Sequence, residues 1–154
     1  MTRKDQTAIC QFARQKALSA IVLVEASVNR VKPYQVDKQY TPQELEPYDA
    51  LSDRFVRAVE TSIKFFRSYE ILMFAETSET LRDQLNRMEK LNLITETSTW
   101  MAMRDVRNRI VHDYLPEDVK QIYQEIRGKF SDELFFMRTK IGQLAELNNT
   151  SPTV

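Results

Sequence analysis

Residues 95–116 read TETSTWMAMRDVRNRIVHDYLP, and their pattern argues for a helix with one buried stripe and one polar end. Thr95 to Thr99 form a cluster of hydroxyl side chains suited to capping free N–H groups at a helix start. Trp100, Met103, Val106 and Ile110 then recur at three- and four-residue intervals, the spacing that lays apolar side chains along one face of a helix. Pro116 disfavours helical geometry at Leu115, so this helix is expected to end near Tyr114. The same proline, followed by Glu117 and Asp118, suits the first turn of another helix.

Outward from this segment the rest of the chain reads the same way. With two glycines and five prolines in 154 residues, and much of the remainder drawn from residues that lose little on entering a helix, the sequence predicts an all-α fold. Ala13, Ala17, Ala20, Ile21, Val24, Val28 and Val31 mark a first helix stopping near Pro33. A long connection over Tyr34 to Asp49 follows, holding Pro42 and Pro47. Leu51, Phe55, Val59, Ile63, Phe66, Tyr69 and Met73 mark a second helix, whose aromatic stripe reads as core. A third, capped by Thr77 or Ser78, turns Leu81, Leu85, Met88 and Leu91 inward, and a long fifth runs from Val119 to Leu144. The expected architecture is an up-and-down bundle of about five antiparallel helices, one domain over residues 1–147, with residues 148–154 a disordered polar tail.

Composition narrows the chemistry. The 22 basic and 22 acidic side chains cancel, so no global field draws in nucleic acid and any such contact must be local. The local exception is Arg104, Arg107 and Arg109 against Asp105. One cysteine, Cys10, excludes an internal disulfide and a cysteine-based zinc cluster; with a single histidine there is no metal-binding pattern, and no metal or cofactor is expected. Cys10 reads as a small apolar helix residue. The polar N-terminus and the lack of an apolar stretch near 20 residues predict an unexported, cytoplasmic protein without membrane association.

That single histidine, His112, stands five residues after Arg107, four after Asn108 and two before Tyr114. Imidazole exchanges protons near neutrality, and guanidinium grips phosphate bidentately, so Arg107, Asn108 and His112 make a plausible anion site. At 100° per residue, Arg107 and His112 lie about 140° apart around one helix axis. They converge only if the helix end unwinds or if two copies of the helix meet, the latter placing a composite site on a two-fold axis. RNA suits this set, because its 2′-hydroxyl is an internal nucleophile that needs proton transfer and charge stabilisation.

The Arg107-Asn108-x3-His112-x-Tyr114 pattern, at the end of the fourth helix and followed by a proline-led amphipathic helix, resembles the HEPN superfamily and, within it, the HepT-type toxins of toxin–antitoxin pairs. The likeness spans roughly residues 50 to 140. It implies a metal-independent endoribonuclease acting as a homodimer, with Arg107 stabilising phosphate charge, His112 moving protons and Asn108 positioning them. It implies as partner a minimal nucleotidyltransferase antitoxin, MNT, which transfers AMP to Tyr114 and can hold the toxin in a larger hetero-oligomer. Other members of the superfamily are not nucleases, and the alternative it implies is a helical partner or substrate-binding subunit of a nucleotidyltransferase.

Overall fold

A computed structural model describes residues 1–112 and 115–148, and these are helical with no strand among them. Thr2 caps α1 (Arg3–Arg30) in a reciprocal box with Asp5, and Thr41 caps α2 (Pro42–Phe74) in the same way with Glu44. The α2 helix therefore begins at Pro42, about nine residues before its first expected core position, and much of the predicted Tyr34–Asp49 connection is helix. Pro42 occupies the first turn, where its missing N–H costs nothing, and Pro47 is carried inside the helix.

The remaining connection is closed by aromatic rings. Tyr34 stacks on Tyr40 at 4.9 Å, both meet Tyr48, and Tyr123 reaches in to within 5.0 Å of Tyr48. The Tyr48 hydroxyl donates to the Lys32 carbonyl at 2.7 Å. These tyrosines serve as packing between loop and bundle.

The α3 helix (Leu81–Lys90) is capped by Thr80, whose hydroxyl accepts from the Asp83 N–H, and not by Thr77 or Ser78. The reason lies in Glu70, which is fully buried and takes both the N–H and the hydroxyl of Ser78. Leu85 and Met88 point inward, but Leu91, at the helix end, is exposed. The α4 helix (Thr97–His112) follows with Trp100, Met103 and Val106 buried and Ile110 partly so, as its pattern predicts.

The expected long fifth helix is interrupted. After α5 (Pro116–Glu125) comes a π-helical turn over Ile126–Phe130, in which Gly128 leaves helical geometry at φ −110° and ψ −107°; α6 (Ser131–Gly142) and the short α7 (Ala145–Asn148) complete the described chain. Glycine is among the weakest helix formers, by about 1 kcal/mol relative to alanine, so the break falls where the helix has least to lose. Ile126 and Phe130 stay buried across it. The proposed tail falls, apart from Asn148, outside the described residues.

The α2 helix is the axis of the core. Its Phe66 meets Trp100 of α4 edge to face at 5.2 Å, and its Phe55 stacks on Phe130 at 5.8 Å. Cys10 is buried on α1, and burial pushes its thiol up to about 12, which suits packing and not nucleophilic attack. Burial likewise pushes the phenols of Tyr48 and Tyr69 up to about 12, with a hydrogen bond to Tyr40 adding in the first case and the Glu146 carboxylate in the second. An unfolded tyrosine ionises near pH 10. These two rings therefore stabilise the fold fully below about pH 10, and that contribution disappears as pH rises towards about 12. An alkaline titration followed by tyrosinate absorbance should show late-ionising tyrosines that titrate only as the helical signal collapses. Six tyrosines ionising together with the helices intact would contradict the assignment.

Candidate functional site at the end of α4

The start of α4 is anchored from two sides. The Thr97 N–H donates to Glu89 at 3.1 Å and its hydroxyl to the same carboxylate at 2.7 Å, tying α4 to α3. Glu133 of α6 accepts from the Trp100 indole at 2.8 Å and from the Thr95 N–H at 2.9 Å, with the Thr95 hydroxyl on its other oxygen. A buried carboxylate needs several such donors to stand in for lost water. The anchored start fixes the direction in which the polar end of the helix projects.

At that end Arg107, Asn108 and His112 are all exposed, while Val106 beneath them is fully buried. Arg107 reaches across to α2, donating to Glu60 at 3.2 Å. The two side chains are 63% and 38% exposed, and an ion pair so open to water is worth about 0–1 kcal/mol. A phosphate can replace the carboxylate at little cost. Asn108 donates to Asp105 at 3.1 Å, and Arg109 is bound to Glu125 of α5 at 2.5 Å. The arginine patch read from the sequence is thus largely balanced by carboxylates from α2 and α5, which lie 47 and 16 residues away in the chain.

Between α2 and α4 lies a cleft of about 430 Å³. Arg107, Ile110 and Val111 form its α4 wall, and Asp49, Asp53, Arg57 and Glu60 of α2 give it a polar floor. Asp53 and Arg57 pair with each other at 2.8 Å. His112 and Asn108 are not among the lining residues. One copy of the chain thus presents Arg107 to the cleft and His112 elsewhere on the same helix, as the 140° separation requires. Tyr114 lies outside the described residues.

Glu60 escaped the sequence reading. It follows Val59 on a helix recognised only by its apolar stripe, and nothing local in the sequence couples it to Arg107. Glu70 and Glu133, the two buried carboxylates among the described residues, escaped for the same reason: an acidic residue in a helical stretch reads as solvated until its distant donors are known.

The fold and site define an all-helical protein with an anchored helix that presents a cation, an amide and an imidazole at its solvent-facing end. Residues 16–143 match the family model described as Nucleotidyltransferase substrate binding protein like, and the chain belongs to that family. The family is all-α and HEPN-like, and it is associated with MNT nucleotidyltransferase partners. Comparison with curated proteins gave no match, and comparison with solved structures gave none. No described helix is long and apolar enough to cross a membrane.

Proposed function

We propose that the chain is the HepT-type toxin of a HEPN/MNT toxin–antitoxin pair, a metal-independent endoribonuclease whose sites form between two copies. The observation that carries this reading is the exposure of Arg107, Asn108 and His112 on a helix whose inner stripe is fully used for packing. These polar side chains lie outside the core, and the contacts of Arg107 with Glu60 and of Asn108 with Asp105 are open to solvent, so a ligand can compete for them. In the composite site Arg107 of one copy holds the scissile phosphate, and His112 of the other moves protons. The 2′-oxygen attacks the adjacent phosphorus as its proton is removed, the P–O5′ bond breaks, and the 5′-oxygen takes up a proton. The products are a 2′,3′-cyclic phosphate and a 5′-hydroxyl, with no oxidant or water consumed. Transfer of AMP to Tyr114 by the nucleotidyltransferase places further phosphate charge near this site and silences it by occupying the anion position.

A second reading rests on the family assignment and on the cleft: the chain is a non-nuclease partner that presents substrate to a nucleotidyltransferase, with Arg107 and the α2 carboxylates lining the binding surface. One experiment separates the two. The purified chain and its His112→Ala variant are incubated with mixed cellular RNA in excess EDTA. The nuclease reading expects discrete fragments from the parent and none from the variant. An inert parent whose mass shows Tyr114 unmodified would overturn it in favour of the partner reading.

A further inference from the structure

The α1 helix carries a second apolar face that the core does not use. Ile9, Phe12 and Leu23 are 47%, 65% and 44% exposed, and Val22 beside them is 56% exposed. Ile9, Phe12, Lys16, Ser19, Leu23 and Ala26 follow one another at alternating steps of three and four residues, and all six are exposed, with the Lys16 ammonium 5.3 Å from the Phe12 ring. That alternation is the seam of a two-helix coiled coil, confined to about 100° of arc. A single helix packed on one core needs one apolar stripe, and α1 already has it in Cys10, Ala17, Ile21 and Val24.

We infer that this face pairs with the same face of a second copy, the two α1 helices lying antiparallel across a two-fold axis. An axis between residues 17 and 18 maps the seam onto itself: Ile9 meets Ala26, Phe12 meets Leu23, and Lys16 meets Ser19. Large side chains are set against small or aliphatic ones, and the one cation in the seam meets a hydroxyl instead of its own copy. Its four-carbon stem covers apolar surface while the ammonium reaches water at the seam edge.

The strip from Ile9 to Ala26 is about 26 Å long and about 10 Å wide, on the order of 260 Å² in projection. Side-chain relief brings it into the roughly 300–600 Å² range in which exposed apolar patches mark interfaces. Two such strips together bury roughly 600–1,200 Å², which at its upper limit meets the lower end of the roughly 1,200–2,000 Å² that specific dimers bury. Because α1 packs on α2, α6 and α7 while α4 packs on α2, α3 and α5, the pairing leaves the end of α4 uncovered. It is separate from the α4 contact of the composite site and does not rest on the nuclease reading.

The register supplies the test. Chains carrying Phe12→Cys are mixed with chains carrying Leu23→Cys and oxidised. The two-fold register expects a disulfide between unlike chains. A mixture of Ile9→Cys and Phe12→Cys chains, whose cysteines sit at opposite ends of the seam, should give none. Native Cys10 is buried and adds no background. In parallel, Phe12→Glu should halve the particle mass in sedimentation while circular dichroism stays unchanged and melting loses its dependence on protein concentration, since Phe12 contributes little to the core. An unchanged mass, absence of the Phe12→Cys/Leu23→Cys link, or a seam that links only to a nucleotidyltransferase would each overturn the proposal. RNA cleavage that persists in a correctly folded, half-mass Phe12→Glu variant would separate this interface from the one that builds the nuclease site.

Discussion

On the proposed nuclease reading, mixing Arg107→Ala chains with His112→Ala chains, each inactive alone, should restore RNA cleavage to about a quarter of the parent rate, as a two-fold composite site requires. The arithmetic follows from the symmetry. Random reassortment of equal amounts makes half of the dimers mixed, and each mixed dimer holds one site with both residues intact and one with neither. This outcome is a consequence of the α4 geometry, in which Arg107 turns into the α2–α4 cleft and His112 does not line it. A site formed within one chain by unwinding the helix end would give no recovery in the mixture. The individual losses should be large, because a general acid/base contributes roughly 10²–10⁴-fold and a charge-stabilising group roughly 10²–10³-fold. Glu60→Gln is the companion variant: removing the carboxylate that holds Arg107 at 3.2 Å should lower KM for RNA, most at low salt, with kcat little changed.

The parts of the fold that the sequence makes legible are those set by local periodicity. Trp100, Met103 and Val106 announce the buried side of α4, and Phe55, Phe66 and Tyr69 that of α2, because a 3.6-residue repeat is visible without knowing the partner. What stays hidden is set by distant groups. Thr41 and Glu44 form a capping box that begins α2 at a proline, and two further prolines nearby make the same stretch read as loop. Ser78 is drawn away from its expected cap by Glu70, and the fifth helix breaks at Gly128 although the apolar spacing runs on across it. The site divides in the same way. Arg107, Asn108 and His112 stand out because they are local to one helix, whereas Glu60 and Glu125, which balance the arginines, lie elsewhere in the chain. The unused face of α1 was also in the sequence, but its apolar residues are interleaved with the core-facing set, and only burial tells the two stripes apart.

Glu70→Ala should produce the largest loss of stability of any single polar substitution considered, about 3 kcal/mol, near the low end for removing one partner of a buried charge pair. The carboxylate is fully buried on α2 and accepts from Ser78, from the Gln84 amide at 2.8 Å and from Arg87 at 3.0 Å. Truncation leaves the amide of a buried Gln84 without its acceptor and opens a polar void. Arg87 limits the damage, since its side chain is 27% exposed and keeps Glu76 at 3.0 Å and the face of Phe74 at 4.6 Å. For a chain of this size the loss corresponds to a fall in Tm of about 6–12 °C. Asp53→Ala is the contrast: its pair with Arg57 is 61% and 69% exposed, so its removal should change Tm by no more than about 2 °C. Glu70→Gln should fall between them, because an amide can still accept one hydrogen bond but presents its NH2 to donors on the other side. Melting curves of the three variants decide the matter, and equal Tm values for Glu70→Ala and Asp53→Ala would show that the buried cluster does not hold α3 to α2. Below its lowered Tm the Glu70→Ala protein should keep whatever rate the parent shows on RNA, because Glu70 reaches α4 only through α3, whereas Glu133 of α6 and the buried Trp100 stripe hold α4 without it. A Glu70→Ala protein that is folded but inactive would therefore mean that α3, through Glu89, steers the end of α4 more strongly than Glu133 and the Trp100 stripe do.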